Sequence, residues 1–340
     1  MKDIAQDLGV SLVTVSKVLR NHPDISEETR QRVLRRMSER NYRPNLAARA
    51  LVTGKTHLMG LVVPTLLHSF FAEVAHSLSR VVRKKGYGLV ISSSEEDAEL
   101  ETQEIDQLLA RSVDCLFIAS SQWTVEGFRR IEERKTPYIL IDRKFVGLAA
   151  NFVGLDDERL GGMATDHLLE IGCRRIAHIG APYISTAIGR FEGYRRSLNR
   201  HGIQVPPEYF LSEPYADDAG DVTGYDMMRR LLKLNPLPDG VFCHNDPIAF
   251  GAMKAILDSG LRIPEDIAIM GCGNVRHSDR LRVPLSTIDQ NSAAIGERAA
   301  KLALTLLESK TPLRPETILL EPRLVVRDST RRAASAARIS

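Results

Sequence analysis

Apolar and polar positions alternate along the chain in two different textures, and the change falls near residue 58. In the first 46 residues the apolar positions recur at helical spacing. Ile4, Ala5 and Leu8 line a helix over residues 2–8, and Gly9 is placed to end it, as glycine often does just past a last turn. Ser11 can cap a second helix whose apolar face holds Val15, Val18 and Leu19. A turn at Asn21-His22-Pro23-Asp24 leads to a third helix, capped by Ser26 and running through Val33, Leu34 and Met37 towards Arg40. Pro44 closes this head. Residues 46–52 predict one more short helix, with Asn45 before it and Gly54 after it. A helix of about two turns is marginal in water and needs a partner to be ordered.

From residue 58 onwards apolar, strand-like runs alternate with amphipathic helices. Strands are expected at 58–63, 87–92, 114–119, 137–141, 175–180, 239–243 and 266–270. Helices are expected at 70–85, 97–111, 158–171, 188–201, 220–234, 247–259 and 290–309, and strand-like stretches at 317–320 and 323–326. That rhythm predicts an α/β fold with parallel sheets covered by helices on both faces. More than six parallel strands suggest two sheets, hence two lobes. The reading divides the chain into a head at 1–46, a linker at 47–57 and a body at 58–340. Lobe one takes about 58–157 and 289–319, and lobe two about 158–288 and 320–330. The tail from Asp328 is small, charged and expected to fray.

Charge separates the two textures further. The chain of 340 residues carries +3 overall. Residues 1–57 hold 11 Lys and Arg against 6 Asp and Glu, a balance of +5, which leaves −2 for the rest. A basic head on a near-neutral body suits a polyanion contact made by the head, and a solvated basic face gives the same count. No apolar run reaches the roughly 18 residues needed to cross a bilayer, and no signal-peptide core follows Met1, so a cytoplasmic location is expected. Cys115, Cys173, Cys243 and Cys272 form no CxxC pair and read as buried free thiols. There is no GxSxG elbow, HExxH pair, P-loop or dinucleotide glycine fingerprint in its required context, and the histidines show no metal spacing, so neither catalysis, a metal nor a cofactor is expected.

The head reads as a helix-turn-helix, whose second helix enters the major groove by its N-terminal end. Leu12, Val13, Ser16 and Lys17 then occupy positions able to face base edges, and the hydroxyls of Thr14 and Ser16 suit phosphate contact. A core role for Leu12 and Val13 is the competing reading. The ordered set Asp3-Ile4-Ala5, Leu8-Gly9-Val10-Ser11, Thr14-Val15-Ser16-Lys17-Val18-Leu19, Ile25-Ser26, Thr29-Arg30, Asn41-Tyr42-Arg43-Pro44-Asn45, Ala48-Arg49 and Leu51 resembles the LacI/GalR family of bacterial transcription regulators. Further matching residues run to Arg327. The resemblance implies a sequence-specific regulator, a repressor by expectation, on a palindromic double-stranded operator. It implies that Leu12 and Val13 are the chief specificity positions, and that Lys17 stands where an arginine is usual. It also implies that Asn45, Ala48 and Leu51 belong to a hinge helix whose leucine wedges into the minor groove, with a flexible linker as the alternative.

The same resemblance implies that the body is a two-lobed sensor like the periplasmic sugar-binding proteins, with a small effector between the lobes. Matching stretches include Gly60-Leu61-Val62-Val63-Pro64, Ile141-Asp142-Arg143, Asp156-Asp157 with Gly161, Gly189-Arg190-Phe191-Glu192-Gly193-Tyr194 and Asn245-Asp246. In open parallel sheets ligands sit beyond the carboxyl ends of the strands. Candidates there are Phe70, Ser93, Trp123, Arg143, Arg190, Asp246 and Asn274. Arg190 matches the family's effector-clasping arginine. Trp123 could be core, and Asp246 could equally cap the helix that opens with Pro247. The family's ligand aspartate falls on Gly273, so the effector is a neutral sugar or a sugar acid, both open at this point. A homodimer is expected, because one helix-turn-helix reads too few base pairs, and the chain after Arg327 lacks the leucine heptads that make tetramers in the family.

Overall fold

The structure is a computed structural model. It describes residues 1–19, 22–42, 50, 54–122, 124–181, 184–204, 206–213 and 220–332. Asn45, Ala48, Leu51 and Trp123 lie outside the described residues. The chain divides into two compact units, Met1–Thr56 and His57–Ser340.

In the first unit three helices, α1 (Lys2–Leu8), α2 (Leu12–Leu19) and α3 (Glu27–Glu39), enclose a core of Ile4, Ala5, Val15, Val18, Val33 and Met37. Gly9 ends α1 in the left-handed conformation at φ 63°, where a glycine carries no steric cost. Ser11 Oγ accepts the Thr14 amide at 3.0 Å and Ser26 Oγ the Thr29 amide at 3.3 Å, so both expected caps are formed. Asp7 ties α1 to the end of α3 by accepting from Arg36 and Arg40. Leu34, between the buried Val33 and Met37 on α3, is exposed.

The second unit holds two six-stranded sheets. In the first, β1 (Leu58–Val63), β2 (Gly88–Ser93), β3 (Cys115–Ile118), β4 (Tyr138–Ile141) and β5 (Asn151–Leu155) are joined by β11 (Thr317–Leu320), all pairs being parallel. Helices α4 (Ser69–Lys84), α5 (Ala98–Ala110) and α6 (Arg129–Arg134) connect these strands. In the second sheet β6 (Ile176–Ile179), β7 (Phe210–Leu211), β8 (Gly240–Cys243), β9 (Ala268–Cys272) and β10 (Ser286–Asp289) are parallel. Its edge strand β12 (Arg323–Val325) runs antiparallel to β10, a departure from the all-parallel expectation. Around it lie α7 (Asp157–Glu170), α8 (Ser185–Arg200), α9 (Asp221–Leu231) and α10 (Asp246–Asp258). The long α11 (Ser292–Glu308) returns to the first sheet, where Ile295, Ala299 and Ala303 pack with Val74 and Leu78 of α4.

Strands β5, β7 and β10 and the helix α6 were not expected from the pattern. The β10 residues Ser286 and Thr287 are polar yet fully buried, their hydroxyls satisfied by Arg327, Thr330 and Asp246. The four cysteines are buried and unpaired, and burial raises each thiol pKa. No described helix is long and apolar enough to cross a membrane.

Candidate functional site

In the head, Leu12 and Val13 open α2 and are 43% and 60% exposed, while Val15 and Val18 of the same helix are buried. The core reading of Leu12 and Val13 is therefore overturned. Thr14 turns its hydroxyl to Ser11 Oγ at 2.9 Å, inside the cap. Lys17 Nζ is 2.5 Å from Asp24 Oδ2, and the other Asp24 oxygen is 2.6 Å from His22 Nδ1. The Lys17 hydrogen bond holds the Asp24 carboxyl below its usual range.

In the second unit the carboxyl ends of the two sheets' strands carry a buried polar cluster. Lys144, just after β4, donates its amide to Ser185 Oγ of α8 at 3.0 Å and so links the lobes. The centre is Arg190, 3% exposed. Its Nε donates to Asp157 Oδ1 at 3.0 Å and its Nη1 to the His244 carbonyl at 2.7 Å. The helices α7 and α8 approach closely enough for this because Gly161 faces the Arg190 carbonyl. A Cβ at position 161 would stand 2.1 Å from that oxygen. Burial pushes the Asp157 carboxyl up to about 7, against the pull of Arg190.

Lobe one adds Arg143, Asp142 and His68. Arg143 is held by both carboxylate oxygens of Glu96, at 2.6 and 2.7 Å, and donates to the Ser120 carbonyl at 3.1 Å. Asp142 sits in the left-handed region at φ 64°, an unusual place for a residue with a side chain. Its carboxyl is raised by burial, opposed by Arg190 and Arg143, and it takes no hydrogen bond from the described residues. His68 is pushed down to about 4 by burial and by the nearby charges of Arg190 and Arg143. His244, behind Arg190, is held well below its usual value by burial.

The remaining candidates are placed differently. Asp246 is fully buried and accepts from Val275 N, Ser278 Oγ and Thr287 Oγ1, at 2.9, 2.8 and 2.6 Å. The helix cap is Asn245, which accepts the Ile248 amide, so Asp246 organises the 275–287 segment instead of capping α10. Asn274 Oδ1 accepts from Arg327 Nη2 at 2.7 Å. Ser93 donates to the Pro64 carbonyl at 3.3 Å, and Phe70 packs into the core of lobe one. The structure gathers Arg143 and Arg190 into one cluster and adds Glu96, His68, Asp142, Asp157 and His244, which sequence reasoning did not select. Asp142 and Asp157 lay within the matched motifs, so a signal was present. Among the described residues no group of His, Cys, Asp and Glu is arranged to hold a metal.

Comparison with known proteins completes the picture. The lacI-family profile of bacterial regulatory proteins matches residues 1–45, and a periplasmic binding protein-like domain matches 165–330. The HTH-type transcriptional repressor PurR of Mannheimia succiniciproducens is 31% identical over 337 residues, 98% of this chain and 99% of that protein. The lac repressor dimer bound to operator and the anti-inducer ONPF superposes with a TM-score of 0.84 at 26% identity, over 96% of this chain and 98% of its own. The transcriptional regulator CelR in complex with cellobiose gives 0.73 at 26% identity, over 96% and 98%. With a basic helix-turn-helix head, two sensor lobes and full-length similarity, this chain belongs to the lacI family of bacterial regulatory proteins and is a sequence-specific DNA-binding transcriptional regulator.

Proposed function

We propose that the protein is a homodimeric repressor of a palindromic operator, and that its effector is a small neutral polyhydroxy compound, a sugar, held between the lobes by Asp142 and Arg190. The observation that carries this is the charge arithmetic of the cluster. Arg143 is matched by Glu96 and Arg190 by Asp157, which leaves the Asp142 carboxylate as the acceptor with no hydrogen bond from the described residues. An incoming carboxylate would meet Asp142 and would have to displace Asp157 from Arg190. An incoming hydroxyl can donate to Asp142 and accept from the Arg190 Nη2, which has no partner among the described residues. This favours the sugar over the sugar acid. The cellobiose bound to the CelR neighbour is an uncharged ligand of the same kind.

A ligand that touches both lobes favours the arrangement in which they close on it, and it shifts the balance only by its difference in affinity for the two arrangements. The test is calorimetry with a panel of hexoses, disaccharides and the corresponding sugar acids. A neutral member should bind, and Asp142→Asn should weaken it at least tenfold, as expected for a charge-assisted bond of roughly 1.5–3 kcal/mol. Binding of acids alone, undiminished in Asp142→Asn, would refute the assignment.

A further inference from the structure

We infer that the head reads its half-site through thymine methyl groups at Leu12 and Val13, with Asp24 withholding Lys17 from the base edges. The inference rests on α2 being the helix that enters the major groove.

Leu12 and Val13 are the first two residues of α2, at the end that a helix-turn-helix presents to bases. They are large, apolar and exposed, while the core of the head is already complete without them. Neither offers a donor or an acceptor. In the major groove the one feature that rewards such a surface is the C5 methyl of thymine, and none of the other base edges does. Thr14, the next residue, commits its hydroxyl to the Ser11 cap. The nearest cation on α2 is Lys17, and its ammonium lies 2.5 Å from Asp24. Asp24 is itself fixed on its second oxygen by His22. An exposed pair of this kind is weak in isolation. Its influence comes from what separation leaves behind, a bare carboxylate on a head that must approach a polyanion. Paired, Lys17 and Asp24 carry no net charge and release no counterion when DNA binds.

The experiment uses the full chain. A binding site is selected from random duplex DNA, and each thymine in the selected half-site is then replaced by deoxyuridine, which lacks only the methyl. Loss of one buried methyl should weaken binding about fourfold at one or two positions, and Val13→Ala should abolish the sensitivity at one of them. Separately, Asp24→Asn should free Lys17. The slope of log affinity against log salt should then steepen by about 0.9, and reselection should enrich guanine at a new position. Adding Lys17→Met to Asp24→Asn should reverse both changes. Uniform indifference to deoxyuridine overturns the thymine reading, and an unchanged salt slope in Asp24→Asn overturns the role of Asp24. Failure of the wild-type chain to select any site would instead remove the groove-reading assignment of α2 on which both rest.

Discussion

Replacing Arg190 with alanine tests what the centre of the sensor is for. The side chain is almost wholly buried and bonds Asp157 on α7 and the His244 carbonyl after β8. Truncation leaves a buried carboxyl and a buried carbonyl without their donor. Each unsatisfied group costs about 1–3 kcal/mol, and a broken buried ion pair about 3–5 kcal/mol. The pH dependence makes the prediction specific. The Asp157 pKa in the fold, about 7, lies above its unfolded value of 3.8. The folded state therefore binds the extra proton, and this group's contribution to stability falls as pH rises from about 4 through 7. Arg190 opposes the upward shift, so its removal raises the carboxyl further and prolongs the fall above pH 7. Below that pH the variant loses mainly the guanidinium's hydrogen bonds to a neutral carboxyl and to a carbonyl. Above it, the penalty grows by about 1.4 kcal/mol per pH unit. Urea denaturation at pH 6 and pH 8 should give destabilisation of about 2 kcal/mol and about 3.4 kcal/mol respectively. The double variant Arg190→Ala/Asp157→Ala should recover much of the loss at pH 8, because the uncompensated carboxylate is gone. A variant within about 0.5 kcal/mol of wild type, or one equally destabilised at both pH values, would refute the bracing role and return Arg190 to the ligand alone.

Two further outcomes follow from other parts of the molecule. His178 is wholly buried, stacked 4.7 Å from Phe242, with Nδ1 donating to the Phe242 carbonyl and Nε2 without a partner among the described residues; burial depresses its pKa to about 4. A depressed histidine loses its contribution as pH falls from 6.5 towards 4, so His178→Phe should lose about 2 kcal/mol less stability than wild type between pH 6.5 and 4.5, measured by urea denaturation; equal losses would sink the idea. Leu51→Ala should weaken operator binding and reduce DNA bending in gel-shift assays while leaving the body's melting temperature unchanged, and equal bending in the variant would favour a plain linker.

How much of this was legible in sequence varies with the kind of interaction. Helix ends in the head were readable because a cap is local: Ser11 and Ser26 each satisfy an amide three residues on. Long apolar strands such as β1 were readable because burial on both faces demands an unbroken apolar run. Strand β10 was not, since Ser286 and Thr287 are acceptable in a core only through partners at Arg327, Thr330 and Asp246, more than 40 positions away. The site divides the same way. Sequence picks out Arg143 after a strand and Arg190 through its match to the family's effector-clasping arginine, but their neutralisation by Glu96 and Asp157 depends on pairs 47 and 33 positions apart. The left-handed backbone of Asp142 leaves only a weak mark in residue type, since aspartate tolerates that region better than most side chains but usually lies elsewhere.

Position 273 shows how the two kinds of information combine. A glycine where the family has an aspartate suggested a missing negative charge near Arg190, hence room for an acid. The structure changes the sign of that argument. Gly273 stands at φ 136°, a conformation that side chains rarely adopt, and a Cβ there would lie 3.6 Å from the Asp246 carboxylate. An aspartate would therefore meet both backbone strain and a like charge already committed to Val275, Ser278 and Thr287. The polar residues that follow do not supply that carboxylate either: Asn274 is taken by Arg327, and Asp279 is exposed. In the proposed site the acceptor near Arg190 comes instead from the other lobe, as Asp142. Because Asp157 already answers the arginine's charge, loss of the carboxylate at 273 does not leave a positive hole for an anion. On the proposed reading it moves the hydrogen-bond acceptor from lobe two to lobe one, so a sugar hydroxyl bound there would donate to lobe one while Arg190 of lobe two donates to the same ligand, and closure of the lobes would be felt by both contacts at once.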